Sequence, residues 1–196
     1  MIYTLLEPEH PILLSKLPEI TAETEPESRQ ELLDNMVETM KRYGGIGLSA
    51  NQVGLPIRMF VFGDNENYIP CFNPKILEYG GPEMPIEEGC LTYPGLFVKI
   101  FRPDWIVAQW EDENRELHME NFTGLQSRVF QHEYDHMQGI DFRSLAGRMA
   151  LNIAKRKLKK GQRRLKKMRE EWKKDLTMIW DFCIIVHEKW EKGSHY

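Results

Sequence analysis

Two histidines four residues apart, in His132-Glu133-Tyr134-Asp135-His136, constrain this chain more than any other feature. On a helix, residues four apart differ by about 40° around the axis and lie one turn apart. Both imidazoles then face the same way and can converge on one metal ion. Glu133 falls about 100° from His132, at the edge of that face. Its carboxylate is too far round to be a ligand but can reach a water at the metal. Tyr134 points away, and Asp135 flanks the stripe on the other side, where it can orient an imidazole or hold an arginine. This spacing is the zinc-peptidase pattern; the plain alternative is a pair of surface histidines on one helix.

A hydrolytic metal site usually has three protein ligands and one open position. Downstream of the histidine pair, Glu170 and Glu171 lie in a basic tail and His187 lies beyond it. Upstream, Cys90 stands in Glu87-Glu88-Gly89-Cys90-Leu91-Thr92-Tyr93-Pro94-Gly95, which reads as an exposed backbone turn. Cys71 and Cys183 are expected in or near the core, and His10, His118 and His195 on the surface without partners. A third segment, Gly44 to Gly54, is rich in glycine and small residues just past a helix end. Phosphate-cradling loops open a helix after a strand and carry Lys-Ser/Thr, so this is a different device. Small residues here let a substrate backbone lie against the loop, and the Gln52 amide can serve as an oxyanion donor.

Apolar spacing predicts a helix through Leu32, Leu33, Met36, Val37 and Met40, ended by Gly44-Gly45. Residues 1–27 read as an extended lead-in. Strands are expected at Ile57 to Phe62, Leu96 to Phe101, Trp105 to Trp110 and Glu116 to Phe122, with Asp112-Glu113-Asn114 as a hairpin turn. Between Phe62 and Pro94, frequent Pro and Gly predict broken chain. Helical spacing returns from Leu125 to His136. Helices and short strands in this order argue for α+β rather than alternating βαβ units.

The tail separates from the rest by charge. Residues 150–196 hold 14 Lys+Arg against 6 Asp+Glu, and the preceding residues 12 against 24. Domains are therefore expected at 1–150 and 151–196, an acidic body and a basic helical extension. Within the extension, Leu151, Ala154, Leu158, Gly161, Leu165, Met168 and Trp172 form a seven-residue repeat. After one stutter it resumes at Leu176, Ile179, Cys183, Val186 and Trp190. Gly161 could interrupt it. No apolar run is long enough for a bilayer, the N-terminus has neither a basic nor an apolar leader region, and three scattered cysteines suit a reducing cytosol.

Taken together and in order, Gly45 to Gln52, Glu88 to Thr92 and His132 to His136 resemble the peptide deformylase family. Its loop reads Gly-x-Gly-Leu-Ala-Ala-x-Gln, its turn Glu-Gly-Cys-Leu-Ser and its helix His-Glu-x-Asp-His. The resemblance covers roughly residues 1–150. Here Ser49 replaces the first loop Ala and Thr92 the Ser of the turn; both are small, and neither is expected to touch a ligand or the base. Tyr93 to Val98 holds no Arg where some members contact the substrate backbone, and Arg102 is expected to pair with Glu88.

The resemblance implies an α+β fold with mixed short β-sheets around a central metal-binding helix, followed here by a long basic C-terminal helix. It implies hydrolysis of the formyl group from N-formylmethionyl nascent peptides in the cytoplasm, with no membrane. It assigns Cys90, His132 and His136 to the metal, Fe²⁺ in the cell with Zn²⁺ as an alternative. Glu133 becomes the acid/base, and Gln52 with the Leu91 N–H the oxyanion donors. Ile46, Gly47, Glu88, Gly89, Leu125 and Val129 match substrate-binding positions, and the basic arm suggests the ribosome and its rRNA as a partner. Two other classes stay open at this point. A peptidase would need a downstream ligand or an extended cleft. A nucleic-acid module with closed structural zinc would need a fourth Cys or His.

Overall fold

The computed structural model describes residues 1–63 and 67–192, with side chains through residue 172. By contacts the chain divides into Met1–Leu151 and Asn152–Tyr196. The first unit opens with an extended segment carrying a short 3-10 turn at Pro11–Leu14, then helix α1 at Arg29–Tyr43. The Ser28 side chain caps α1 by accepting from the Glu31 N–H at 3.1 Å. Gly44 ends the helix in the left-handed region (φ 71°), which glycine adopts without a Cβ penalty.

One antiparallel sheet follows in the order β1 (Gly47–Ser49), β2 (Met59–Gly63), β3 (Tyr68–Gly89), β4 (Phe97–Glu111) and β5 (Leu117–Thr123). The expectation of mixed short sheets is thus corrected. So is the expectation of broken chain before Pro94, because β3 runs for 22 residues. Pro74, Gly80, Gly81 and Pro82 fall at or beside register shifts between Phe72/Lys75, Ile76/Glu78 and Gly80/Glu83, where bulges absorb residues that a regular ladder would reject. Leu96 to Phe101 and Trp105 to Trp110 likewise join into the single strand β4. The hairpin through Asp112-Glu113-Asn114 forms as expected, with Asp112 Oδ1 accepting from the N–H groups of Asn114 and Glu116.

Gly124, at φ 56°, turns β5 into helix α2 at Gly124–Met137. This helix packs on β1, β2, β4 and β5. The contact is aromatic: Phe130 meets Phe60 edge-on at 5.0 Å and Phe62 at 5.8 Å, and Phe62 meets Phe122 at 5.6 Å. A second cluster joins Met36 and Met40 of α1 to Leu48, Met59, Val61 and Phe72. The two clusters hold α2 and the β1 segment in fixed register. A one-turn helix, α3 at Phe142–Leu145, precedes α4 at Arg148–Lys192. Helix α4 continues through Gly161 without interruption. The side chains of Leu176, Ile179, Cys183, Val186, His187 and Trp190, and all of His195, lie outside the described residues. No described helix is long and apolar enough to cross a membrane.

Candidate metal centre

Three separate elements deliver the site. Helix α2 carries His132, Glu133 and His136 on its buried face. The end of β3 leads directly into Cys90. After β1, a 3-10 turn at Ala50–Val53 carries Gln52. The ligand atoms of Cys90, His132 and His136 lie within 4.8 Å of one another. Cys90 Sγ is 3.3 Å from His136 Nε2, and the two imidazoles stand at 77° to each other, 5.2 Å between centroids. A thiolate and two imidazoles on the corners of so small a triangle are a donor set for a divalent transition metal. Cys90 is less exposed than the exposed turn expected for it, and Cys71 is fully buried as expected.

Charge inside the site is arranged around these ligands. Burial alone would push the Cys90 thiol up, yet His136 and His132 beside it pull it well below the usual thiol range. Burial disfavours a charged His132, but Cys90 and Glu88 outweigh it and push the imidazole up to about 10. The histidines beside Cys90 thus favour the ionised sulfur that a metal needs, and a metal would displace the proton from the imidazole nitrogen it meets. Glu133 is raised above the ordinary carboxylate value by burial, against the pull of both histidines and of the Ser49 hydroxyl.

Behind His132 lies a network of buried charges. Glu88 accepts from His132 Nδ1 at 2.9 Å, from Arg102 Nε at 2.6 Å and from Arg128 Nη1 at 3.0 Å. Arg102 also donates to Asp135 at 2.7 Å, so Asp135 holds an arginine rather than an imidazole. Burial opposes ionisation of Glu88, but His132 and Arg102 hold its carboxyl down at about 2. The expected Arg102–Glu88 pair is present. Arg128, which nothing in its helical spacing singles out, completes it and also donates to the carbonyls of Met84 and Ile100.

A cleft of about 580 Å³ opens beside the ligands. Every sequence-assigned residue except His136 lines it: Ile46, Gly47, Gln52, Glu88, Gly89, Cys90, Leu91, Leu125, Val129, His132 and Glu133. Ile86, Tyr93, Leu96, Phe97 and Arg128 line it as well and were missed. The alternation of β4 could have indicated Phe97, exposed between buried neighbours. Gln52 donates its amide to Thr92 Oγ1 at 3.0 Å and to Cys90 Sγ at 3.3 Å. Ser49 donates its hydroxyl to Oε2 of Glu133. Ser49 therefore touches the base candidate, contrary to expectation, whereas Thr92 meets Gln52 rather than a ligand or Glu133. His118 is also not partnerless, since it pairs with Asp112 at 2.9 Å and stacks on Trp110. His10 is exposed and caps the 3-10 turn at Pro11–Leu14.

A family model described as polypeptide deformylase matches residues 2–148. The chain is 36% identical over 175 residues to the peptide deformylase of Christiangramia forsetii, covering 81% of this chain and 88% of that one. Among solved structures, the peptide deformylase of Thermotoga maritima superposes with a TM-score of 0.71 at 33% identity, over 75% of this chain and 99% of that chain. A peptide deformylase from Legionella pneumophila gives 0.74 at 30% identity, over 83% and 96%.

Proposed function

The chain belongs to the polypeptide deformylase family, and from that premise we propose how its own residues remove the formyl group from the N-terminus of a newly made polypeptide. The observation that carries the assignment is the triangle of Cys90, His132 and His136 beside a cleft that also holds Glu133. These three residues would hold one divalent cation; the family resemblance implies Fe²⁺, and the mixed Cys/His donor set suits Zn²⁺ as well. When bound, such a cation acidifies water and polarises a carbonyl.

The rest of the chemistry falls to the protein. Glu133 takes a proton from the attacking water as its oxygen bonds to the formyl carbon. The Gln52 amide and the Leu91 N–H receive the oxyanion that forms; one such donor is typically worth about 2.7–4 kcal/mol. Glu133 then returns the proton to the amine nitrogen as the C–N bond breaks, giving formate and a free N-terminus. Ile46, Leu125 and Val129 offer an apolar slot for the unbranched methionine side chain. Gly47 and Gly89 leave room for the peptide backbone, and Glu88 keeps His132 oriented from behind.

Release of free Met-Ala from formyl-Met-Ala (with formate) and from acetyl-Met-Ala (with acetate), with metal content measured on the same sample, tests this. Turnover of the formyl peptide at least tenfold faster than the acetyl one is expected. Cleavage of internal peptide bonds without formate would overturn it in favour of a peptidase.

The basic arm is proposed to bring the enzyme to its substrate. Twelve Lys+Arg between Lys155 and Lys174 suit contact with ribosomal RNA in the cytoplasm. Truncation after Ala150 should leave turnover on short peptides within a few-fold. It should abolish a ribosome affinity that falls with salt at a log–log slope of about −0.7 to −0.9 per phosphate contact. Retention of that affinity after truncation would overturn the role.

A further inference from the structure

The base in the reading above has two carboxylate oxygens, and their surroundings differ. Glu133 is 4% exposed and Ser49 fully buried, so the contact between them is shielded from bulk water. Oε2 accepts the Ser49 hydroxyl. Oε1 lies over Gly47, where a Cβ built on that glycine would stand only 2.5 Å from it. Gly47 and Glu133 both line the cleft, and Oε1 is the Glu133 oxygen nearest to Gly47.

Ser49 is itself held from several directions. It pairs with Phe60 in the β1–β2 ladder, and its N–H donates to Gln52 Oε1 at 2.9 Å. That second bond turns the other end of the Gln52 amide toward Cys90 and Thr92. One residue thus touches both the base and the oxyanion donor, at a position where the family loop quoted above carries alanine. An alanine there could make the backbone bond to Gln52 but not the bond to Glu133.

We propose that Ser49 is a positioning residue for the base: its hydroxyl holds Oε2 of Glu133 so that Oε1 faces the cleft and handles the proton. The inference rests on the assignment of Glu133 as acid/base. Without the hydroxyl, Oε2 loses a partner at a buried position, and the carboxylate can rotate so that either oxygen turns to another contact. Orientation of the reacting group is lost while the substrate slot is untouched. The effect therefore belongs in kcat rather than KM.

The test uses metal-loaded, full-length Ser49→Ala, Ser49→Cys, Glu133→Gln and the Ser49→Ala/Glu133→Gln double variant, with metal content measured on each. Ser49→Ala should lower kcat about tenfold, the loss typical of one hydrogen bond to a charged group, with KM within about twofold and metal unchanged. Ser49→Cys, whose S–H is a weak donor, should fall between Ser49→Ala and the parent. In the Glu133→Gln background, Ser49→Ala should cost nothing further, because there is no longer a base to orient. Equal fold losses in both backgrounds would mean that Ser49 acts only through packing, and parental kcat in both Ser49 variants would mean that the bond is idle; either result overturns the proposal. Full turnover in Glu133→Gln would overturn the base assignment itself, a failure distinguishable from that of Ser49.

Discussion

Glu88 Oε2 and His132 Nδ1 lie 2.9 Å apart, a contact that would select the nitrogen His132 offers to a metal. With its carboxyl held at about 2, Glu88 is ionised at neutral pH and can only accept. The Nδ1 hydrogen must therefore point at Glu88, which leaves Nε2 as the lone-pair nitrogen on the ligand side. Arg102 and Arg128 balance the buried carboxylate from the other side. Glu88→Gln should weaken metal binding by about 10–100-fold, measured by competition with a chromophoric chelator. It should also destabilise the fold by about 3 kcal/mol, since the buried Arg128 guanidinium loses its counter-charge and Arg102 keeps only Asp135. Unchanged metal affinity would show that the Nδ1 contact does not orient the ligand.

Gly47→Ala probes the same centre from the opposite wall. The new methyl carbon would meet Glu133 Oε1 at 2.5 Å and Val129 Cγ1 at 2.9 Å, so the base or the slot must shift. A stability loss of about 1–3 kcal/mol is expected from overpacking. Displacement of the base should also cut kcat roughly a hundredfold. Denaturant unfolding and initial rates on one preparation check both. Parental kcat would mean that Glu133 has room to work elsewhere.

How much of this was legible in the sequence depended on the range of each signal. The α2 spacing and the Gly44 stop are local, and both formed as read. The strand β3 was illegible because Pro74, Gly80, Gly81 and Pro82 break local propensity, while pairing with β4 and the bulges between them restore the strand. In the site, residue type and order pointed to Cys90, His132, Glu133 and His136. Arg128 could not be found, because a buried arginine is recognisable only from the carboxylate it meets, 40 residues away in Glu88. The same holds for Ser49, whose partner Glu133 is 84 residues distant.

A third prediction concerns acid stability. Although burial works against ionisation of Asp141, bonds from Arg143 and from the Tyr93 hydroxyl hold its carboxyl below the ordinary aspartate value. The folded state therefore binds fewer protons here than the unfolded chain. The resulting stability is fully present above the unfolded value near pH 4 and is lost as pH falls through the lower folded value. Asp141→Asn should lower Tm at pH 7, and the gap from the parent should close below about pH 4. Thermal melts across pH 2–7 read this directly; a gap that persists at low pH would assign the loss to packing.

In the proposed mechanism Glu133 moves the proton while Cys90, His132 and His136 hold the metal. Metal content and formate release, measured on one preparation of Glu133→Gln, test it most directly. A full complement of metal is expected together with a fall in kcat of at least about a hundredfold, the usual scale of general acid–base catalysis. Loss of the metal together with activity would make Glu133 a ligand, and parental turnover with metal retained would remove it from the reaction; either result contradicts the account.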